Sequence, residues 1–97
     1  MKFEWDDAKN RFNIAKHGID FADVCEMFQG VVVTKPDLRF DYQESRWVSV
    51  GVVGGVALLA VVHTDRAGVL RLISARRANR RERSDYETAL QPRPDAR

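Results

Sequence analysis

Arg46-Trp47-Val48-Ser49-Val50-Gly51-Val52-Val53-Gly54-Gly55-Val56-Ala57-Leu58-Leu59-Ala60-Val61-Val62-His63-Thr64 decides the fold. Two runs rich in β-branched and aliphatic residues flank Gly54-Gly55, a dipeptide free to take the positive φ angles of a two-residue hairpin turn. That turn sets Val53 against Val56, Val48 against Val61 and Arg46 against His63. Asp65-Arg66-Ala67-Gly68 makes a second reversal, setting Thr64 against Val69 and Val62 against Arg71. Side chains alternate across a strand, so this pairing sorts them by face. Val48, Val50, Val52, Ala57, Leu59, Val61, Leu70 and Leu72 form one aliphatic face. Trp47, Ser49, Gly51, Leu58, Ala60, Val62, Thr64, Arg71 and Ile73 form a mixed one. An unpaired arginine is costly to bury, so the mixed face is expected to be partly open.

Towards the C-terminus, Ala75 to Leu90 reads as a helix with a thin apolar line of Ala75, Ala78, Tyr86 and Ala89. Gln91 to Arg97, with two prolines, reads as a disordered tail. Towards the N-terminus, Val31 to Thr34 is a β-branched strand, Pro36-Asp37 breaks it, and Leu38 to Tyr42 alternates again. Asp6 is a good N-cap for a helix over 7–17, with Ala8, Phe12 and Ala15 as its apolar stripe and Gly18 as its left-handed stop. Asp20 opens a second helix whose stripe is Phe21, Val24, Cys25 and Phe28, ended by Gly30. Lys2 to Trp5 alternates as a short strand. The whole reads as α+β: a small, mostly antiparallel β-sheet, two N-terminal helices on one face and a C-terminal arginine-rich helix. Residues 1–90 form a single domain and 91–97 the tail.

At 97 residues, with 44% hydrophobic and 31% charged content, the chain suits one small globular domain. A single cysteine, Cys25, excludes an internal disulfide. The acidic opening Met1–Asp7 is unlike a secretory leader, and the longest apolar run, 56–62, is too short to cross a bilayer. A cytoplasmic location and no membrane partner are expected. No cysteine or histidine spacing suggests a metal, and no cofactor is expected. Charge is uneven: residues 1–44 carry six cations and nine anions, residues 45–97 ten cations and five anions. All ten later cations are arginine, whose planar fork grips phosphate in two places. An anionic partner is therefore expected.

The residues also carry a family resemblance. Phe3-Glu4-Trp5-Asp6, Lys9, Asn13, Lys16-His17-Gly18-Ile19 and Phe21 resemble the BrnT family of bacterial type II toxins. So do Asp41-Tyr42, Glu44 and Arg46-Trp47, and then Arg71-Leu72-Ile73-Ser74-Ala75-Arg76-Arg77-Ala78, Arg80-Arg81-Glu82-Arg83 and Tyr86-Glu87. The blocks stand in order over residues 3–87. Gln43, His63 and Asn79 depart from it, standing where glycine, tyrosine and threonine are common. The resemblance implies a RelE-like fold and a metal-independent endoribonuclease that inhibits translation and growth. It also implies neutralisation by a ribbon-helix-helix antitoxin of the BrnA type, the complex binding operator DNA through the antitoxin. The alternative is a non-catalytic RelE-like subunit that binds the antitoxin and acts in transcriptional autoregulation.

Metal-free RNA cleavage needs a base near the 2′-oxygen, cations on the phosphate and a proton donor for the leaving oxygen. Arg71, on a strand, and Arg76, expected to open the last helix, are the first candidates for phosphate. His63 is the candidate base or acid by residue type, although the pairing puts it on the Val61 side, away from Arg71. Glu82 and Tyr86, one helical turn apart, could hydrogen-bond those arginines or clamp the helix to the sheet. Arg66, Arg80, Lys16 and Trp47 are candidates to bind RNA, Trp47 by stacking. Arg77, Arg81 and Arg83 are assigned to the antitoxin. His17 reads as a cation satisfying a helix C-terminus.

Overall fold

The computed structural model describes residues 1–39 and 43–91. The strands are β1 (Lys2–Trp5), β2 (Val33–Pro36), β3 (Trp47–Val53), β4 (Ala57–Arg66) and β5 (Val69–Arg77). The helices are α1 (Asp7–His17), α2 (Phe21–Val24), which runs on as a 3-10 turn over Cys25–Gln29, and α3 (Arg80–Leu90). One five-stranded sheet has the order β1-β5-β4-β3-β2. It is mixed, which corrects the mostly antiparallel expectation: β1 lies parallel to β5, with Lys2 opposite Val69 and Trp5 opposite Leu72. Alternation has the same period beside a parallel or an antiparallel neighbour, so the pattern of β1 did not carry its direction.

The central hairpin is offset by one residue from the expectation. Gly54 and Gly55 take φ of 65° and 71°, but Val56 joins the turn, 90% exposed, and pairing starts with Val53 opposite Ala57. Trp47, not Arg46, therefore faces His63, and Val48 faces Val62. A one-residue slip moves a whole strand's side chains to the other face. Val50 joins Leu58 and Ala60 in one cluster, with Ala78 and Tyr86 from the α3 side. Leu59, Val61, Leu72 and Ala75 join Phe21, Val24 and Met27 in the other. The slip leaves Gly51 under the 3-10 turn. A Cβ there would lie 2.5 Å from Met27 Cγ, so the small residue allows the close approach.

The ends of α1 follow the sequence. The Asp6 carboxylate accepts from the Ala8 and Lys9 amides at 2.8 and 3.2 Å, and Gly18 closes the helix at φ 71°. Its docking face does not. Ala8, Phe12 and Ala15 are exposed, and the one buried residue of α1 is Asn13. The side-chain amide of Asn13 donates to Ile19 O and Ala75 O and accepts from Ala75 N. β5 outruns β1 beyond Leu72, and Asn13 supplies the hydrogen bonds a neighbouring strand would have given.

The last helix starts five residues later than expected. β4 offers partners as far as Leu59, so Ala75, Arg76 and Arg77 remain strand. Asn79 then caps α3 in a reciprocal box with Glu82. β2 runs 33–36, two residues later than read. Leu38 and Arg39 lie outside any strand, and the rest of the expected 38–42 alternation falls outside the described residues. So does the tail from 92 to 97. No helix among the described residues is long and apolar enough to cross a membrane.

Candidate nucleic-acid interface

The interface is built around a break in the β4–β5 ladder. His63 opposes Leu72 and Val62 opposes Ser74, leaving Ile73 as an extra residue on β5. Arg71 and Arg76 are five apart, which in a regular strand puts them on opposite faces. The bulge cancels that: Arg71 pairs with Thr64 and Arg76 with Ala60, and both point to the face that carries α3. Arg76 thus reaches the site from a strand and not from a helix start.

Each candidate arginine of this face is held by a carboxylate. Arg71 donates to Glu4, its partner across the parallel pair. Arg66 forks onto Glu44 at 3.2 and 2.7 Å. Arg76 forks onto Glu82 at 2.7 and 2.9 Å, while Glu82 also accepts from the Asn79 amide at 2.9 Å. The Arg76 guanidinium is the main reason the Glu82 carboxyl lies below its usual range; the Asn79 amide adds to it. Hydrogen bonding from Arg66 does the same for Glu44. A guanidinium has five N–H donors, so a fork to one carboxylate aims the group and leaves donors for a second anion.

Beside Arg76, between α1 and the free edge of β5, lies an open cleft of about 550 Å³. Lys9, Phe12, Lys16 and His17 line one wall, Arg39 and Arg76 the other, and Val62, Ile73 and Ser74 the floor. Among the described residues no carboxylate lines it. Among the described residues Lys9, Lys16 and His17 make no ion pair; Lys16 Nζ stands 5.9 Å from the centre of the Phe12 ring. Arg39 is forked by Asp37 at 2.8 and 3.0 Å. A second hollow of about 580 Å³ shares Arg39 and Arg76 but is floored by Val33, Val48 and Val50 and carries Asp37, Glu82 and Asp85. The cleft is the more anion-selective of the two.

Of the residues named from sequence, Arg76 and Lys16 meet in the cleft. Arg71 and Arg66 share a face with Arg76 but do not line it. His63 is on the opposite face, against Phe28, its Nε2 2.7 Å from Ser49 Oγ, which lies 2.7 Å from Thr34 Oγ1. Burial pushes its pKa down. His63 therefore stands apart from the arginines it was expected to serve. Trp47 accompanies it, opposite His63 in the ladder and lining the same shallow hollow. Tyr86 is buried with its hydroxyl donating to Val31 O at 2.9 Å, which clamps α3 to the chain before β2. Arg77 ends β5 in a hollow with Asp20 and Asp23, and Arg80, Arg81 and Arg83 are exposed along α3. Sequence reading missed Lys9, Phe12, His17 and Arg39 as site residues. Phe12 was assigned to the core because its spacing fits an apolar stripe. Its flanking lysines, three residues before and four after, were the available signal of a solvent-facing side. Among the described residues no three of His, Cys, Asp and Glu cluster as metal ligands would.

A family model described as the ribonuclease toxin, BrnT, of type II toxin–antitoxin systems matches residues 5–82. The 1.1 Å crystal structure of the Brucella abortus ribonuclease toxin BrnT is similar, at 35% sequence identity and a TM-score of 0.64, covering 82% of this chain and 99% of that one. A search among curated proteins finds no match.

Proposed function

The chain belongs to the BrnT family of ribonuclease toxins of type II toxin–antitoxin systems, and from that premise we propose that it is itself a metal-independent endoribonuclease acting in the cytoplasm to inhibit translation and growth. The observation that carries this reading is the cationic cleft, lined by no carboxylate among the described residues, that meets the Arg76–Glu82 fork. In such a cleavage the 2′-oxygen forms a bond to phosphorus, the bond to the 5′-oxygen breaks, and a proton passes from the first oxygen to the second. Arg76, aimed by Glu82, neutralises the non-bridging oxygens as charge builds on them. His17, Lys9 and Lys16, in the same cleft, are of residue types that can move a proton. Arg71 and Arg66 extend the positive face along the strand.

The partner in this reading is a ribbon-helix-helix antitoxin of the BrnA type, met by the exposed Arg77, Arg81 and Arg83. The complex reaches operator DNA through the antitoxin. The sheet with helices early and one late in the chain supports a RelE-like fold over residues 1–90. One observation favours the non-catalytic alternative: Arg66, Arg71 and Arg76 are all already engaged by carboxylates. The two readings part in one experiment. The purified chain is incubated with RNA in chelator, and growth is followed on expression. We expect cleavage and growth arrest, with Arg76→Ala losing roughly 10²–10³-fold in cleavage rate and Arg71→Ala losing less. Intact RNA and normal growth with the parent chain overturn the nuclease reading. Parent-like rates in Arg76→Ala overturn the assignment of that residue.

A further inference from the structure

We propose that Phe12 is a base-stacking platform, and that the cleft beside it is the track for a single strand of RNA. The inference deepens the ribonuclease reading and rests on RNA being the ligand. Phe12 is 67% exposed in the middle of α1. It does nothing for the fold: α1 docks through Asn10 and Asn13, whose amides bond Asp20, Phe21, Ile19 and Ala75. The ring lines the cleft, with Lys16 Nζ 5.9 Å from its centre.

Charge identifies the occupant. Lys35, Arg66 and Arg71 outside the cleft, and Arg39 and Arg76 on its other wall, each face a carboxylate. Among the described residues Lys9, Lys16 and His17 do not, and no described carboxylate lines their cleft. An acidic ligand fits; a basic or neutral one leaves these charges unmatched. Spacing narrows it further. Lys9 and Lys16 are seven residues apart, or about 10 Å along the helix axis. They lie two turns apart on one side of α1 and present a row of positive charge along the cleft. Phe12 lies between them on the same side, where a base would stack. Arg39 and Arg76 close the other wall. Single-stranded nucleic acid is bound this way, by cations along the backbone and aromatic faces under the bases.

The test uses the full chain and a 2′-O-methyl oligonucleotide, which cannot be cleaved, carrying 2-aminopurine. The same strand with abasic sites is the control. Binding should quench the fluorescence. Phe12→Ala should weaken binding of the intact strand roughly 5- to 100-fold, the range for one base–aromatic stack. Phe12→Trp should restore it, and the abasic strand should bind parent and variant alike. Because the ring is exposed, the melting temperature should not fall. Equal binding by parent and Phe12→Ala, or an equal loss on intact and abasic strands, overturns the proposal. So does a Phe12→Ala defect confined to binding the antitoxin. A parent chain that binds and quenches but leaves cleavable RNA intact upholds the platform and overturns the ribonuclease reading. A parent that cleaves RNA while Phe12→Ala binds equally well overturns the platform alone.

Discussion

Asn13 does at the scale of one residue what the sequence pattern assigns to a hydrophobic stripe. Its amide closes the backbone of Ala75 on both sides, at 2.9 and 3.0 Å, and holds the Ile19 carbonyl at 3.0 Å. Asn13→Ala would strand a buried N–H and C=O. We expect a loss of about 2–4 kcal/mol, read as a lower urea midpoint at unchanged slope. Little of this was legible. A polar residue on a short amphipathic helix reads as solvent-facing, and only the poor helix propensity of asparagine hints at another task. Arg76 was legible as a phosphate candidate because its chemistry is intrinsic to the guanidinium. His63 was picked on residue type; the strand pairing read from sequence already set it on the face away from Arg71, but did not show Phe28 packed against it.

Elements were legible where local chemistry sets their ends and obscure where a partner strand does. The Asp6 cap and Gly18 stop mark α1, and they are contiguous in sequence. Asn79 and Glu82 mark the start of α3 just as locally, yet Ala75 to Ala78 is equally able to be helical. What keeps it extended is β4, which reaches as far as Leu59 on the other side of a turn. The bulge at Ile73 belongs to the same class. It exists only in the mismatch between two strands, and it is what sets Arg76 beside Arg71. The box at the head of α3 holds Glu82 against Arg76, so its loss reaches the site. Asn79→Ala should cost about 1 kcal/mol of stability. It should also lower RNA cleavage, since the fork that aims Arg76 loosens; a melting curve and a cleavage rate on the same sample separate the two effects.

For the whole molecule, the titrating groups predict how stability changes with acidity. His63 is depressed by burial, so the folded state resists the proton that the unfolded chain accepts near its ordinary value of about 6.5. Stability should therefore be full above that pH and fall as pH drops below it towards the folded value. Glu82, held down chiefly by Arg76, with Glu44, Asp6, Asp20 and Asp85, is depressed in the carboxylate sense. Their contribution is present above pH 4–5 and is lost as pH falls through their folded values. Melting temperature against pH should show two descents on acidification, and His63→Gln should remove the upper one. A single descent in the parent would contradict this.

The parallel pairing of β1 with β5 also has a meaning in time. A chain is made from its N-terminus, and Glu4 waits for Arg71, 67 residues further on. β1 thus leaves the ribosome well before the strand it pairs with, and contacts this distant form slowly. Until β5 is out there is no Arg71, no Arg76, and no edge for Asn13 to close. A partly synthesised chain holds α1 with its lysines but lacks the floor strand and Arg76 opposite them. Both walls of the cleft stand only once β5 has been made, so an antitoxin already in the cell has the interval before that in which to be present first.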